Sequence, residues 1–113
     1  MYDPNNIFAK IIRKEIPSQL IYEDDYLLAF HDMHPVAPVH VLVIPKGPYK
    51  DYSNFVTTAS SEMQSHFFKQ VNVIARDLCD ANFRLCTNNG PMSGQTIFHF
   101  HMHIIGGKQL GGL

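Results

Sequence analysis

The stretch from residue 98 to residue 104 alternates between apolar side chains and histidines. Because side chains on a β-strand point to opposite faces in turn, residues two apart share a face at a spacing of about 6.6 to 6.8 Å. One face of such a strand carries His99, His101 and His103. The other face carries Phe98, Phe100, Met102 and Ile104. The alternation therefore predicts a strand with one face packed in a core and one face equipped for chemistry.

Hydrophobic periodicity and turn residues predict the elements around this strand. A short helix is expected over Ile7–Ile12, and residues 46–60 are expected to form a connector. A second helix is expected over residues 61–80, with Ser61 as its capping residue. Strands are expected over Leu20–Glu23, Tyr26–His31, Val39–Ile44, Phe83–Thr87 and Thr96–Ile105. This order favours a single α+β domain with a mainly antiparallel five-stranded sheet.

The helix over residues 61–80 carries an unusually wide apolar stripe. Its centre consists of Met63, Phe67, Val71, Ile74 and Leu78. Phe68 and Ala75 widen it beyond what one face of a small sheet requires. The pattern fits a deeply buried core helix and, equally, a helix whose edge packs on a second subunit.

Composition limits the classes of protein to which the chain can belong. Its 113 residues provide one small domain, and a formal net charge of −1 with scattered lysines and arginines excludes the basic stripe typical of nucleic-acid binders. Cys79 and Cys86, without a secretory leader, are expected to be reduced. No apolar stretch approaches the roughly 20 residues that cross a bilayer, so we expect a cytoplasmic protein without membrane contact.

Three histidines on one strand face allow two kinds of chemistry. His-x-His on a strand can hold zinc, and His40 is a candidate to complete that site, although no carboxylate or thiolate lies close in the motif. Alternatively, adjacent imidazoles disfavour one another's protonation, so His101 would stay neutral and keep a nucleophilic lone pair while its neighbours donate to phosphate oxygens. Spacing alone leaves both interpretations open.

Further segments resemble a known family. Residues 99–105 match the His-φ-His-φ-His-φ-φ signature of the histidine triad (HIT) superfamily. Residues 7–12, 31–40 and 43–46, and Asn88 together with residues 94–96, are similar to the Hint branch of histidine triad nucleotide-binding phosphoramidases. The match runs from about residue 5 to residue 107 and leaves a short glycine-rich tail at 108–113. The resemblance implies one HIT domain over residues 1–113. It also implies a homodimer, in which the five-stranded sheets of two copies join into one.

The resemblance also implies catalytic roles. His101 would attack the α-phosphorus and form a nucleotidyl-histidine intermediate, without a metal or other cofactor. His99 and His103 would hold phosphate oxygens, and His40 would support His99 in proton transfer to the leaving group. Thr96 stands where the family usually has a serine that contacts the phosphate or the leaving group. The implied reaction releases a nucleoside monophosphate from a purine (AMP or GMP type) phosphoramidate or from an acyl or aminoacyl adenylate.

The nucleoside-binding residues follow from the same resemblance. Asp32 would accept hydrogen bonds from both ribose hydroxyls. The positions that enclose the purine are Ile7, Phe8, Ile11, Phe30, His31 and Met33. The positions near the ribose and phosphate are Asn88, Gly94 and Gln95.

The sequence differs from the family pattern at two places, and it allows two alternative functions. The tail carries no tryptophan, which leaves the leaving group undefined, and His34 replaces a small polar residue usual in the family. A dinucleoside polyphosphate hydrolase and a nucleotide-binding adaptor with vestigial catalysis are the alternative functions.

Overall fold

A computed structural model of residues 1–113 contains one five-stranded sheet with helices on both faces. The helices are α1 (Ile7–Ile12), α2 (Tyr52–Thr58), α3 (Ser61–Cys79) and a short 3-10 helix (Pro91–Ser93). The strands are β1 (Leu20–Glu23), β2 (Leu27–His31), β3 (Val39–Pro45), β4 (Phe83–Cys86) and β5 (Met102–Gly106). All neighbouring strands are antiparallel, in the order β1-β2-β3-β5-β4. The predicted α+β class is confirmed.

Each face of the sheet has its own apolar core. On the face that we call the helix face, Val41 and Ile104 pack with Phe67 and Val71 of α3. On the opposite face, which we call the cleft face, Leu42 and its neighbours pack under α1. The buried residues of this second cluster are Phe8, Ile11, Leu28, Phe30, Leu42 and Ile44. Side chains of β3 and β5 therefore alternate between the two faces as predicted, and their histidines lie on the cleft face.

The last strand is shorter than the sequence predicts. Residues 96–101 run without a strand ladder, and regular pairing begins where Met102 faces Val43. Other groups bond this segment instead: the Phe100 amide donates to the carbonyl of Tyr49, and the Thr87 hydroxyl donates to the carbonyl of His101. The ladder cannot extend far because β3 ends at Pro45, which has no backbone N–H.

The sequence prediction missed one helix and placed the cap of α3 one residue too late. The segment predicted as a connector contains α2, which Asp51 caps by accepting from the Asn54 amide at 2.7 Å. Only Phe55 of this helix is buried, so its sequence lacks the hydrophobic periodicity that predicts an amphipathic helix. The cap of α3 is Ser60 rather than Ser61, because the Ser60 hydroxyl oxygen accepts from the Met63 amide.

Two apolar residues lie outside the cores that the patterns predict for them. Phe98 is 39% exposed because it precedes the paired part of β5. Leu78, in the last turn of α3, is 37% exposed. The rest of the predicted stripe is buried or packs against the helix-face core. No helix is both long enough and apolar enough to cross a membrane.

Candidate active site

A cleft of about 920 Å³ opens on the cleft face beside α1. One part of its wall is apolar, formed by α1, Phe30 and Leu42, and another part carries His101 and His103. Cross-strand register explains this arrangement, because Phe30 faces Leu42 and Leu42 faces His103 in one row across the sheet. Apolar and imidazole groups therefore share one concave surface, whose volume lies in the usual range for small-molecule sites.

The tautomer of His101 follows from its hydrogen bond. Its Nδ1 lies 2.7 Å from the backbone carbonyl oxygen of His99. A carbonyl oxygen can only accept, so Nδ1 carries the hydrogen and Nε2 keeps its lone pair. The edge-on ring of Phe8, with centroids 4.9 Å apart, packs against the same imidazole. The hydrogen bond thus selects the Nδ1–H tautomer, in which the neutral ring keeps its lone pair on Nε2.

Burial is the main reason that His101 stays neutral. Desolvation lowers the pKa of His101, while the backbone bond to His99 and the charge of Asp32 act in the opposite direction. Repulsion between imidazoles, the cause expected from the sequence, is not among the causes that shift the pKa of His101. Repulsion from His101 contributes second to the low pKa of His103, which burial lowers to about 4.

His103 is oriented by His40 across the sheet. The Val36 amide donates to His40 Nδ1 at 3.1 Å, so His40 carries its hydrogen on Nε2. That Nε2 lies 2.9 Å from Nδ1 of His103, which must accept. His103 therefore carries its hydrogen on Nε2 and is a donor. The expected pairing of His40 with His99 is wrong, because His40 contacts His103.

His99 is not available to hold phosphate as expected. Its side chain is fully buried, with Nε2 bonded to the Pro45 carbonyl at 2.8 Å and Nδ1 bonded to the Tyr2 hydroxyl at 2.6 Å. Burial lowers its pKa to about 4. With both nitrogens occupied inside the protein, His99 supports the site from beneath instead of contacting a ligand.

Comparison with known proteins identifies the family. The HIT domain family model matches residues 13–110. The chain belongs to the HIT family. An uncharacterised HIT-like protein of Rickettsia prowazekii is 54% identical over 115 aligned positions, covering 100% of this chain and 96% of the relative.

Solved structures agree with this assignment. A histidine triad protein from Clostridium difficile superposes with a TM-score of 0.87 at 39% identity, covering 100% of this chain and 99% of that one. A HIT family hydrolase from Clostridium thermocellum gives 0.83 at 38% identity, covering 96% of each chain. These similarities support the HIT fold over the whole chain.

Most of the residues predicted for this HIT site meet at the cleft. The predicted residues that line it are Ile7, Phe8, Ile11, Phe30, His31, Asp32, Met33, Asn88, Gly94, Thr96, His101 and His103. Three predicted residues do not line it, namely His40, His99 and Gln95. His40 and His99 lie behind the histidines that do.

Gln95 holds a loop together instead of facing the cleft. Its amide donates to the carbonyls of Lys50 and Ile97, and its Oε1 accepts from the Gly90 amide. With all these groups partnered and the side chain buried, Gln95 fixes the segment that presents Thr96. Gly94, beside it, has a φ of 98°, a conformation in which glycine avoids strain.

Asp32 is already part of the protein's own network. Its Oδ1 accepts from the His34 amide at 2.8 Å, and its Oδ2 lies 3.4 Å from Nε2 of His40. Ligand atoms of Asp32, His40 and His103 all lie within 4.8 Å of one another, so this trio is a cluster that could share a metal ion. It differs from the zinc site considered from the sequence, because it includes a carboxylate and only one histidine of the triad.

Several residues that line the cleft were not predicted. They are Pro17, Ser18, Gln19, His34, Pro35, Leu42 and Ile97. Leu42 could have been found from period-two alternation, because it lies two residues from His40 on the same face of β3. The other residues carry no such signal. They lie between α1 and β1, between β2 and β3, and before β5, and their positions depend on the paths of these three segments.

Proposed function

We propose that this HIT family member is a hydrolase of the Hint type. Its substrates are purine nucleoside phosphoramidates, or acyl or aminoacyl adenylates, which it cleaves to the nucleoside monophosphate. One observation carries the proposal: the His99 carbonyl holds Nδ1–H of His101, and so leaves the Nε2 lone pair available in a cleft with apolar and donor groups.

The proposed reaction has two displacements at phosphorus. Nε2 of His101 attacks the α-phosphorus, a P–Nε2 bond forms, and the P–N bond of a phosphoramidate breaks as its amine takes up a proton from solvent. With an acyl or aminoacyl adenylate the P–O bond to the acyl group breaks instead, and the carboxylate leaves without a proton. Water then attacks phosphorus and the P–Nε2 bond breaks, which releases the monophosphate and regenerates the imidazole. One water is consumed overall, and splitting the reaction this way replaces one difficult displacement with two easier ones.

The surroundings of His101 suit a phosphoryl group. Nε2–H of His103 is a donor that can bond a non-bridging oxygen, and its partner His40 fixes that orientation. The Thr96 hydroxyl, also at the cleft, is the group that we assign to the leaving-group side. Donors placed in advance around the reacting phosphoryl group supply much of the rate enhancement in such reactions.

The nucleoside would occupy the rest of the cleft. Phe8 and Phe30 pack edge to face at 5.7 Å, and together with Ile11 and the more exposed Ile7 and Met33 they offer apolar surface for a purine. The carboxylate of Asp32 also lines the cleft, and it would accept the ribose hydroxyls. A nucleotide is therefore the ligand class that fits both parts of the cleft.

Trapping the intermediate tests the proposal. Wild-type protein, mixed with adenosine or guanosine 5′-phosphoramidate and quenched in acid-free denaturant, should carry one nucleotidyl group on His101 by mass spectrometry. His101→Ala should carry none and should lose turnover. His66→Ala removes an imidazole outside the cleft and should keep both. Absence of turnover in the wild type, or full turnover in His101→Ala, would contradict the proposal, and a preference for diadenosine polyphosphate would favour the alternative hydrolase.

We also propose that the protein is a homodimer with a continuous sheet. β4 is an edge strand, so one side of it has no partner within the chain. Large apolar side chains are exposed around it, with Leu85 on β4 at 43% and Val73 and Leu78 on α3 at 46% and 37%. An exposed edge with neighbouring apolar groups is the feature that a second copy would cover.

A further inference from the structure

Tyr2 makes a hydrogen bond that the proposed reaction does not use. Its hydroxyl lies 2.6 Å from Nδ1 of His99, and the two rings meet edge to face with centroids 5.6 Å apart. Nε2 of His99 must carry hydrogen, because its partner is the carbonyl of Pro45. Nδ1 is therefore an acceptor, and Tyr2 is the donor that satisfies it inside the protein.

The segment that carries Tyr2 is fixed to α1 by its own bonds. Arg13 donates to the Pro4 carbonyl at 2.8 Å, and the Asn6 side chain donates to the Asp3 carbonyl at 2.8 Å. The Asn5 amide donates to the Asp3 carboxylate at 2.9 Å. These contacts hold the segment in a defined turn, so the tyrosine ring is delivered to His99 by an ordered backbone.

His99 connects Tyr2 to the proposed nucleophile. The same residue that accepts the Tyr2 hydroxyl with its ring accepts Nδ1–H of His101 with its backbone carbonyl, at 2.7 Å. The ring of Phe8 packs against both imidazoles, with centroids 6.4 Å from His99 and 4.9 Å from His101. A shift of the His99 ring would therefore move the carbonyl that selects the tautomer of His101.

We propose that Tyr2 is a positioning residue for the reaction: by holding His99 against Pro45, it keeps the His99 carbonyl aligned with Nδ1 of His101. The expected effect on kcat rests on the proposed function. Tyr2 does not line the cleft, so it acts on the alignment of the nucleophile rather than on nucleotide binding.

Tyr2→Phe tests the role of the hydroxyl while keeping the ring. We expect kcat for adenosine phosphoramidate to fall by about 3- to 10-fold, the effect of one neutral hydrogen bond, with KM nearly unchanged. Tyr22→Phe is the matched control, because Tyr22 also donates from its hydroxyl in a half-buried bond, to Asp24 at 2.7 Å, and lies outside the cleft. That control should keep the wild-type kcat.

A second readout does not depend on activity. In ¹⁵N NMR spectra without ligand, His101 should be the Nδ1–H tautomer in the wild type and in Tyr22→Phe, and a mixture of tautomers in Tyr2→Phe. Unchanged ring shifts, or an unchanged kcat well below the melting temperature, would overturn the proposal and leave Tyr2 a purely structural role. If the wild type shows no turnover, the proposed function fails, and the ring shifts alone decide whether Tyr2 positions His101.

Discussion

Nε2 of His40 lies 2.9 Å from Nδ1 of His103, with ring centroids 5.2 Å apart. The residues are diagonal neighbours on adjacent antiparallel strands, since His40 faces Ile105 and Leu42 faces His103. The amide of Val36 sets the direction of the pair by donating to the other nitrogen of His40. A backbone group in a loop thus determines which nitrogen of His103 presents a hydrogen to the cleft.

His40→Phe should weaken catalysis by releasing His103. The ring is retained, but the donor to Nδ1 of His103 is lost, so His103 can adopt the tautomer that presents no hydrogen to the phosphate. We expect kcat for adenosine phosphoramidate to fall by about 10-fold, equivalent to about 1.4 kcal/mol. His66→Phe, which removes the partner of Asp24 outside the cleft, is the control. Equal kcat values for His40→Phe and the wild type would exclude this role.

The alternation over residues 98–104 predicted much of the site because side-chain direction along an extended chain needs no tertiary information. Phe100 and Ile104 lie in the helix-face core, and His101 and His103 face the cleft. The same logic holds for β3, where His40 and Leu42 share the cleft face. Period-two patterns survive even where the strand ladder is absent, as at His101.

The contacts that the sequence did not predict join segments that lie far apart in the chain. The resemblance implies a pairing of His40 with His99, but strand register places His40 beside His103, 63 residues away. Tyr2 reaches His99 across 97 residues through a turn whose path no periodicity records. The burial of His99 depends on these partners, so its role could not be read from its position in the motif alone.

Stability should fall as the pH drops from 6.5 towards 4. Burial lowers the pKa of His99 from 6.5 to about 4, so the unfolded chain binds more protons than the folded one within this window. His99 alone contributes about 3 kcal/mol above pH 6.5 that is lost on acidification, and His103, with a pKa of about 4, adds to the effect. Urea denaturation at pH 7 and pH 4.5 measures the difference.

Asp24 provides an internal reference for this titration. Its pKa is lowered from 3.8 to about 2, with the bond from His66 as the largest lowering cause against the opposing effect of burial. The stability that it contributes is therefore lost only below about pH 3.8, after the histidine window. A free energy of unfolding that stays constant from pH 6.5 to 4 and drops only below that range would contradict the prediction for His99.

Asp32→Asn should reduce discrimination between ribose and deoxyribose. A carboxylate accepts from two hydroxyls more strongly than a neutral amide, and its charge makes those bonds roughly twice as strong as neutral ones. We expect the ratio of kcat/KM for adenosine phosphoramidate to that for its 2′-deoxy analogue to fall by about 10-fold. The ratio corrects for any disturbance of the loop that Asp32 stabilises through the His34 amide. An unchanged ratio would remove Asp32 from ribose recognition.

Leu85→Lys should convert the proposed dimer into a monomer. Leu85 is 43% exposed on the edge strand β4, and it faces Ile104 of β5 on its other side. A lysine at an exposed edge opposes pairing with a second copy, because its ammonium group would lose water where the two strands meet. Analytical ultracentrifugation should show a dimer for the wild type and a monomer for the variant.

Leu20→Lys is the matched control, since Leu20 is 47% exposed on β1 at the opposite edge of the sheet. This substitution should leave the dimer intact. A monomeric wild type, or loss of the dimer in the control alone, would show that β4 is not the interface.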